Sequence, residues 1–486
     1  MNPEQDAVLH DAASLYRFVD SVCAACNISG EFPSYLESSQ HFFRYIQVLG
    51  ERTQTFLQSV ALSLATDSAI TFNAERQKLA TLRFTWFEIH KYVRPAVNAH
   101  TLNIPSPLLL SLLQRFRSIE GLGNRDFVIL HTDNVNYFEA HASVRKLTSE
   151  LRLIIPDAPG FPERFGVIEF PYSQAESVFL NTLIAHEMGH FLFQELTDLA
   201  FDKLLRAIGD GIKAAFGTEY PQLTDDDIRW CRDVLLNWAE EIFCDFFALW
   251  MVGPCFSLAY IELLDLTVGL YPSAAPSTAY VMSPVFSSHP ARLFRLREHV
   301  ELLKTLGWWQ EVLQYKTHYV RLLQKAETTP LTYYIFYSDD PSKQHLLTKT
   351  LQAFFQIPNT VQEIVRERMS GIDPGLTEFQ LYHESIEQYL QNGVVPSTVI
   401  VGNSGSARCL SAVGLGDGPQ VRHPTFVAIL NTGYKFYLES LPALLKNIDG
   451  PDSTSCSDRS AWMKRLETWT MKAIEDSELL RAAQRR

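Results

Sequence analysis

The stretch LNTLIAHEMGHFLFQEL, residues 180 to 196, carries His186, Glu187 and His190 inside an otherwise apolar segment. On a helix, positions i and i+4 share a face, so both imidazoles can converge on one point. That arrangement supplies two legs of a metal site. Zinc takes such nitrogens with a third protein ligand and keeps one position for water, and a glutamate beside the first histidine can take that water's proton. The bland alternative makes His186 and His190 hydrogen-bonded core residues and Glu187 a helix-surface charge. A chance H-E-x-x-H in a chain with this much His and Glu has a probability of roughly a few percent, so a third ligand decides the matter.

The segment WAEEIFCDFFAL, residues 238 to 249, offers Glu240, Glu241 and Asp245. Helical spacing pairs Glu241 with Asp245 on one face and Glu240 with Cys244 on another. Acids between Trp238 and the aromatic run from Phe246 to Trp250 are costly to bury unless a cation or imidazole N–H groups meet them. Glu241 is thus the expected third ligand. Asp245 is expected to support it by accepting a histidine ring N–H and fixing that ring's tautomer. The alternative, a solvated acidic face, is crowded by Ile242, Phe243, Phe246 and Phe247. The two-His, one-carboxylate set favours one Zn2+ per chain, although iron or manganese accepts similar ligands.

The elements that must position these residues can be read around them. SQAE, from Ser173 to Glu176, has capping-box spacing and predicts a helix beginning near Gln174. TDDD, from Thr224 to Asp227, predicts the start of a long helix that stops at Gly253-Pro254. Residues 10 to 120 show helical apolar spacing, while DFVILH (126 to 131) and FGVIEFPY (165 to 172) read as strands of a small sheet. VIEFPY could be an edge that pairs with an extended peptide, or an ordinary buried strand. The Pro- and Ser-rich stretch from Tyr271 to Ser288 reads as irregular loop, and helical patterns resume beyond it. The expected organisation is mainly α (α+β): a helical N-terminal region over 1–124, a core with a small sheet over 125–310, and a helical C-terminal region over 311–486.

Composition narrows the function classes. With 46% hydrophobic and 20% charged residues, the chain reads as globular and folded. A net charge of −13 argues against nucleic acid or an anionic membrane as the main partner. Seven cysteines, an odd number without a framework spacing or a leader ahead of them, predict a reducing, cytoplasmic location. The most apolar run, Phe246 to Tyr260, is too short for a bilayer span. Two weaker motifs, CAAC at Cys23 to Cys26 and GLGDG at 414 to 418, read as structural helix and loop.

HEMGH followed by EIFCD resembles the gluzincin metallopeptidases, in which H-E-x-x-H on one helix is completed by E-x-x-x-D on a later one. SSHPARLFR is similar to the H-P-x-x-x-x-R element of the CAAX prenyl protease and HtpX-like group, which would place His289, Pro290 and Arg295. The resemblance spans about residues 165 to 300. It implies a zincin-like core with His186, His190 and Glu241 as zinc ligands, Glu187 as general base and later proton donor, and Asp245 orienting His186. It also implies that His289 stabilises the oxyanion, a role for which Tyr271 or Tyr280 is the alternative. Well-known members of that group carry transmembrane helices, whereas this sequence shows none. The expected function is a zinc-dependent endopeptidase acting on a specific protein or peptide substrate, with the helical flanks restricting access or recruiting an activating protein. The competing expectation is a regulatory or sensor protein whose metal site is structural or vestigial. No motif anchors a free amino terminus, as an exopeptidase would need.

Overall fold

A computed structural model describes residues 3–27, 37–66, 72–99, 106–132, 138–139, 141–162, 165–171, 177–267, 279–281, 289–290, 292–315, 317–329, 335–337, 341–397, 399–401, 407–408, 420–449 and 456–484. The protein is mainly helical, as its periodicity predicts. Among the described residues, no helix is long and apolar enough to cross a membrane. Contacts divide the chain into two compact units, Met1–Leu113 with Asn124–Glu176, and Gln114–Gly123 with Ser177–Arg486. This division differs from cuts at 124 and 310: the strands near 126 and 165 belong with the N-terminal helices, and H-E-x-x-H belongs with the C-terminal ones.

In the first unit, α1 (Pro3–Ala25) packs on α2 (Glu37–Thr66) and α3 (Phe72–Ala99). Trp86 is fully buried, and its indole N–H donates to Thr53 Oγ1 at 3.1 Å, so the large ring enters the core with no polar atom stranded. Next in the chain is α4 (Ser106–Arg117), whose last turn falls in the second unit. Strands β1 (Asp126–Thr132), β2 (Phe138–Glu139) and β3 (Phe165–Pro171) form a sheet in the order β1-β3-β2, with α5 (His141–Ile154) between β2 and β3 in sequence. β3 runs parallel to β1 from Phe165 opposite Asp126 to Pro171 opposite Thr132, and antiparallel to β2 at Ile168 and Glu169. The expected peptide-accepting edge is therefore corrected. The strand of VIEFPY is the central one, and its near-continuous burial is that of a strand covered on both faces.

The second unit begins with a 3-10 turn, Leu180–Leu183, that runs into α6 (Ile184–Gln194). The SQAE cap lies outside the described residues, and α6 itself has no side-chain cap. α7 (Asp198–Phe216) leads to α8 (Asp225–Val252), where Thr224 and Asp227 form the reciprocal capping box that their spacing predicts. From Glu241 onward every residue of α8 is buried, the signature of a helix enclosed on all sides. Gly253, at φ +70°, ends it, and Pro254 opens α9 (Pro254–Thr267). α10 (Arg292–Thr305), α11 (Trp309–Val312), α12 (His318–Thr328), α13 (Pro341–Phe354), α14 (Ile357–Arg368), α15 (Leu376–Gln391), α16 (Phe426–Asp449) and α17 (Cys456–Gln484) complete the unit. Two small sheets add to it. β4 (Ala279–Val281), inside the stretch that reads from sequence as irregular loop, pairs parallel with β5 (Ile335–Tyr337). β6 (Val399–Val401) pairs with β7 (Ala407–Arg408) and β8 (Gln420–Arg422).

The α8–α9 joint is closed from α16. The Asn431 amide donates to Val252 C=O at 2.8 Å, and its Oδ1 accepts from Cys255 N–H at 2.8 Å. One buried side chain thus satisfies backbone groups that a helix break would strand.

Candidate metal centre

α6 and α8 pack so closely that a Cβ on Gly189 would lie 2.8 Å from Cys244 Cα, 3.0 Å from its Cβ and 3.2 Å from its Sγ. Gly189 sits between the two histidines of one helix, and Cys244 between Glu241 and Asp245 of the other. The missing side chain lets the backbones approach where the polar groups must meet. His186 Nε2 lies 3.5 Å from Glu241 Oε2, and His190 Nε2 lies 3.8 Å from Glu241 Oε1. The two imidazoles are edge-to-face, with centroids 5.0 Å apart.

Each histidine turns its other nitrogen to a carboxylate. His186 Nδ1 is 3.0 Å from Asp245 Oδ1, and His190 Nδ1 is 2.9 Å from Glu240 Oε1. A ring that gives its Nδ1 proton to a carboxylate keeps its Nε2 lone pair for a metal, and His190, whose Nδ1 is hydrogen-bonded to Glu240, meets that condition most directly. Helix-face reasoning on α8 alone sets Glu240 apart with Cys244 and misses its contact with His190.

Among the described residues, the group whose donor atoms all lie within 4.8 Å of one another is His186, His190 and Cys244. The chemistry favours Glu241 over Cys244. Both Nδ1 atoms lie beside carboxylates, and both Nε2 atoms face Glu241. Burial, together with the surrounding Glu240, Glu241, Glu187 and Asp245, holds the Cys244 thiol well above its ordinary pKa and opposes a thiolate. Glu241 Oε2, by contrast, is a buried carboxylate oxygen with no well-directed hydrogen bond.

From α10, Arg295 grips Asp245 in a two-pronged bridge, Nε to Oδ2 and Nη2 to Oδ1, each at 2.7 Å. Its Nη1 reaches Glu241 Oε2 at 3.1 Å, and its guanidinium lies 4.7 Å from the Tyr260 ring centroid. His299, one turn further along α10, places Nε2 3.1 Å from Asp245 Oδ2 and Nδ1 3.2 Å from Ser257 Oγ. Sequence reasoning named Arg295 as a motif residue without a contact, and missed His299 and Ser257. The signal for His299 is its i+4 spacing from Arg295.

These contacts set the charges. Burial alone would raise Glu241, but Arg295 and His186 bring it down to about 2. Burial likewise opposes ionisation of Asp245, and Arg295 and His299 hold it well below the carboxylate range. Burial works against charge on His186, yet the Asp245 and Glu241 carboxylates overcome it and raise the imidazole to about 10. Glu187 is raised by burial, with the two imidazoles pulling the other way. Three buried carboxyl groups, Glu187, Glu241 and Asp245, share the site with one buried guanidinium, Arg295. Two imidazoles and a carboxylate are a donor set that fits Zn2+.

His289 reaches the site with Nε2 3.3 Å from Glu241 Oε1, and at 58% side-chain exposure it is the member open to solvent. Tyr271 lies outside the described residues, as does the side chain of Tyr280 in β4. GLGDG also lies outside them. In the CAAC motif, burial pushes the Cys23 thiol up to about 11 and the Cys26 thiol up to about 12, which makes both poor nucleophiles. Compared with protein families, curated proteins and solved structures, the chain matches none.

Proposed function

We propose that this chain is a zinc-dependent endopeptidase with a gluzincin-type centre, acting on a specific protein target in the cytoplasm. The observation that carries the reading is the convergence of two Nε2 atoms on Glu241, with each ring's Nδ1 backed by its own carboxylate. His186, His190 and Glu241 would hold the ion, which when bound supplies Lewis acidity toward a carbonyl and makes a water acidic. Glu187, adjacent to the first ligand and raised by burial, is suited to accept that water's proton and return it to the leaving amine. His289, at the exposed side, is suited to donate to the carbonyl oxygen as negative charge develops there. Asp245 and Glu240 hold the ligand imidazoles in their tautomers, and Arg295 keeps Asp245 ionised.

One observation favours the regulatory reading. Glu241 is already paired with Arg295 and His289, an arrangement that can persist without an ion. Metal content separates the two readings. Wild-type protein should carry one zinc per chain, Glu241→Ala should lose it, and Cys244→Ala should keep it. Glu187→Gln should retain the metal and lose peptide hydrolysis by about a thousandfold, beyond the roughly 100-fold floor for removing a general base. Absence of zinc from protein offered zinc would sink the proposal. Undiminished cleavage in Glu187→Gln would remove the assigned base.

A further inference from the structure

The carboxylate of Asp245 has about four acceptor positions, and four donors surround it. Oδ1 faces Arg295 Nη2 at 2.7 Å and His186 Nδ1 at 3.0 Å, while Oδ2 faces Arg295 Nε at 2.7 Å and His299 Nε2 at 3.1 Å. Arg295 alone would leave the carboxylate free to rotate within the guanidinium fork's tolerance. His299 restricts that freedom, because it stands against the oxygen that His186 does not approach.

His299 is itself fixed. It is fully buried, Ser257 Oγ holds its Nδ1 at 3.2 Å, and the Phe256 and Tyr260 rings pack against it at 5.3 and 5.4 Å between centroids. Phe256 also lies parallel to the His186 ring, 6.1 Å away at 8°. A histidine is an expensive choice for a fully buried position unless both nitrogens are used. This one bonds α9 through Nδ1 and sets Nε2 against the α8 carboxylate. The His186 and His299 contacts to Asp245 are within hydrogen-bonding distance but off the ring N–H axis, so a small rotation of Asp245 would weaken or improve both together.

We infer that His299, seated on Ser257, is a positioning residue that locks Asp245 against Arg295 and thereby sets the His186 ring for the metal. A buried line of contacts, Ser257 to His299 to Asp245 to His186, joins α9, α10, α8 and α6. The inference rests on the metal-centre reading for its functional consequence. The physical linkage between His299 and His186 stands apart from it.

The test uses full-length protein with His299→Leu, which removes both polar atoms, His299→Gln, which can restore a donor near the Nε2 position, and Ser257→Ala. Zinc affinity, measured by competition with a chromophoric chelator, should fall about tenfold or more in His299→Leu and recover to within about threefold in His299→Gln. The visible spectrum of the cobalt-loaded protein should change in the leucine variant and return with glutamine, which a residue that only fills space would not produce. Unfolding of the chelator-treated proteins supplies a readout that needs no metal. In a cycle of His186→Ala with His299→Leu, the effect on the unfolding constant should depart from the product of the single effects by at least about threefold. If wild-type protein takes up no zinc, the metal reading fails and the cycle alone decides the linkage. If His299→Leu does not fold, Ser257→Ala replaces it, with a severalfold loss of zinc affinity expected. Wild-type affinity in the leucine variant, or in Ser257→Ala where that replaces it, would overturn the inference; so would multiplicative effects in the cycle.

Discussion

Gly189→Ala tests the geometry that brings the two ligand helices together. Carbon atoms in contact settle about 3.5 to 4.0 Å apart, and the added methyl would sit 2.8 Å from Cys244 Cα. α6 and α8 must therefore part by about 0.7 Å at that point to reach ordinary contact. Overpacking of this kind costs about 1 to 3 kcal/mol, and replacing a helical glycine returns about 0.5 to 1 kcal/mol. The net loss of stability is then no more than about 2.5 kcal/mol, the larger cost less the smaller return. Metal affinity is the sharper readout, because the same displacement changes the spacing of both Nε2 atoms from Glu241. We expect zinc affinity to fall about tenfold or more, comparable to losing a supporting contact. Cys244→Ala should not rescue it, since that change removes the 3.2 Å Sγ contact and leaves the Cα and Cβ contacts in place. Gly209→Ala on α7 is the control: nothing lies within 4 Å of its added Cβ, so it should only stabilise. Denaturant unfolding in chelator and chelator competition for zinc give the two numbers. A Gly189→Ala protein stabilised like Gly209→Ala, with unchanged zinc affinity, would refute the close-approach argument.

Three further outcomes are expected. Arg295→Met leaves Asp245 and Glu241 without their buried partner and should cost about 3 to 5 kcal/mol in urea unfolding, with Arg295→Lys recovering only part because it lacks the planar fork; a loss near zero would show that the bridge contributes nothing. Asn431→Ala strips bonds from Val252 C=O and Cys255 N–H and should cost about 2 kcal/mol, whereas an unchanged midpoint would assign closure of the joint elsewhere. Burial raises half-buried Glu298 to about 7, Arg297 offsetting this and Glu301 adding to it. Its folded-state pKa thus exceeds its unfolded one, so the penalty is absent below about pH 4.5, grows toward pH 7 and is constant above. Glu298→Gln should raise the melting temperature at pH 8 and leave it unchanged at pH 4, and a gain of equal size at both would contradict that assignment.

The side-chain cluster was legible because its parts are periodic. H-E-x-x-H and E-x-x-x-D each occupy one helix face, and the Thr224 capping box and the Gly253-Pro254 stop are local signals that survive folding. Glu240 was misjudged for a related reason. Spacing within one helix says which residues share a face, but not how much of the helix a partner crossing it will reach. The two units and the central position of β3 depend on contacts between distant segments. β2 is two residues long, and β4 and β5 are three each, too short to carry a pattern of their own. His299 and Ser257 look like ordinary core positions until four helices come together.

Asn431 also sets an order of events during synthesis. Its partners Val252 and Cys255 precede it by 179 and 176 residues. At about 5 to 20 residues per second, the end of α8 waits roughly 9 to 35 s on the ribosome before the side chain that seals it has been made. For that interval the α8–α9 joint stands without the side chain that closes it.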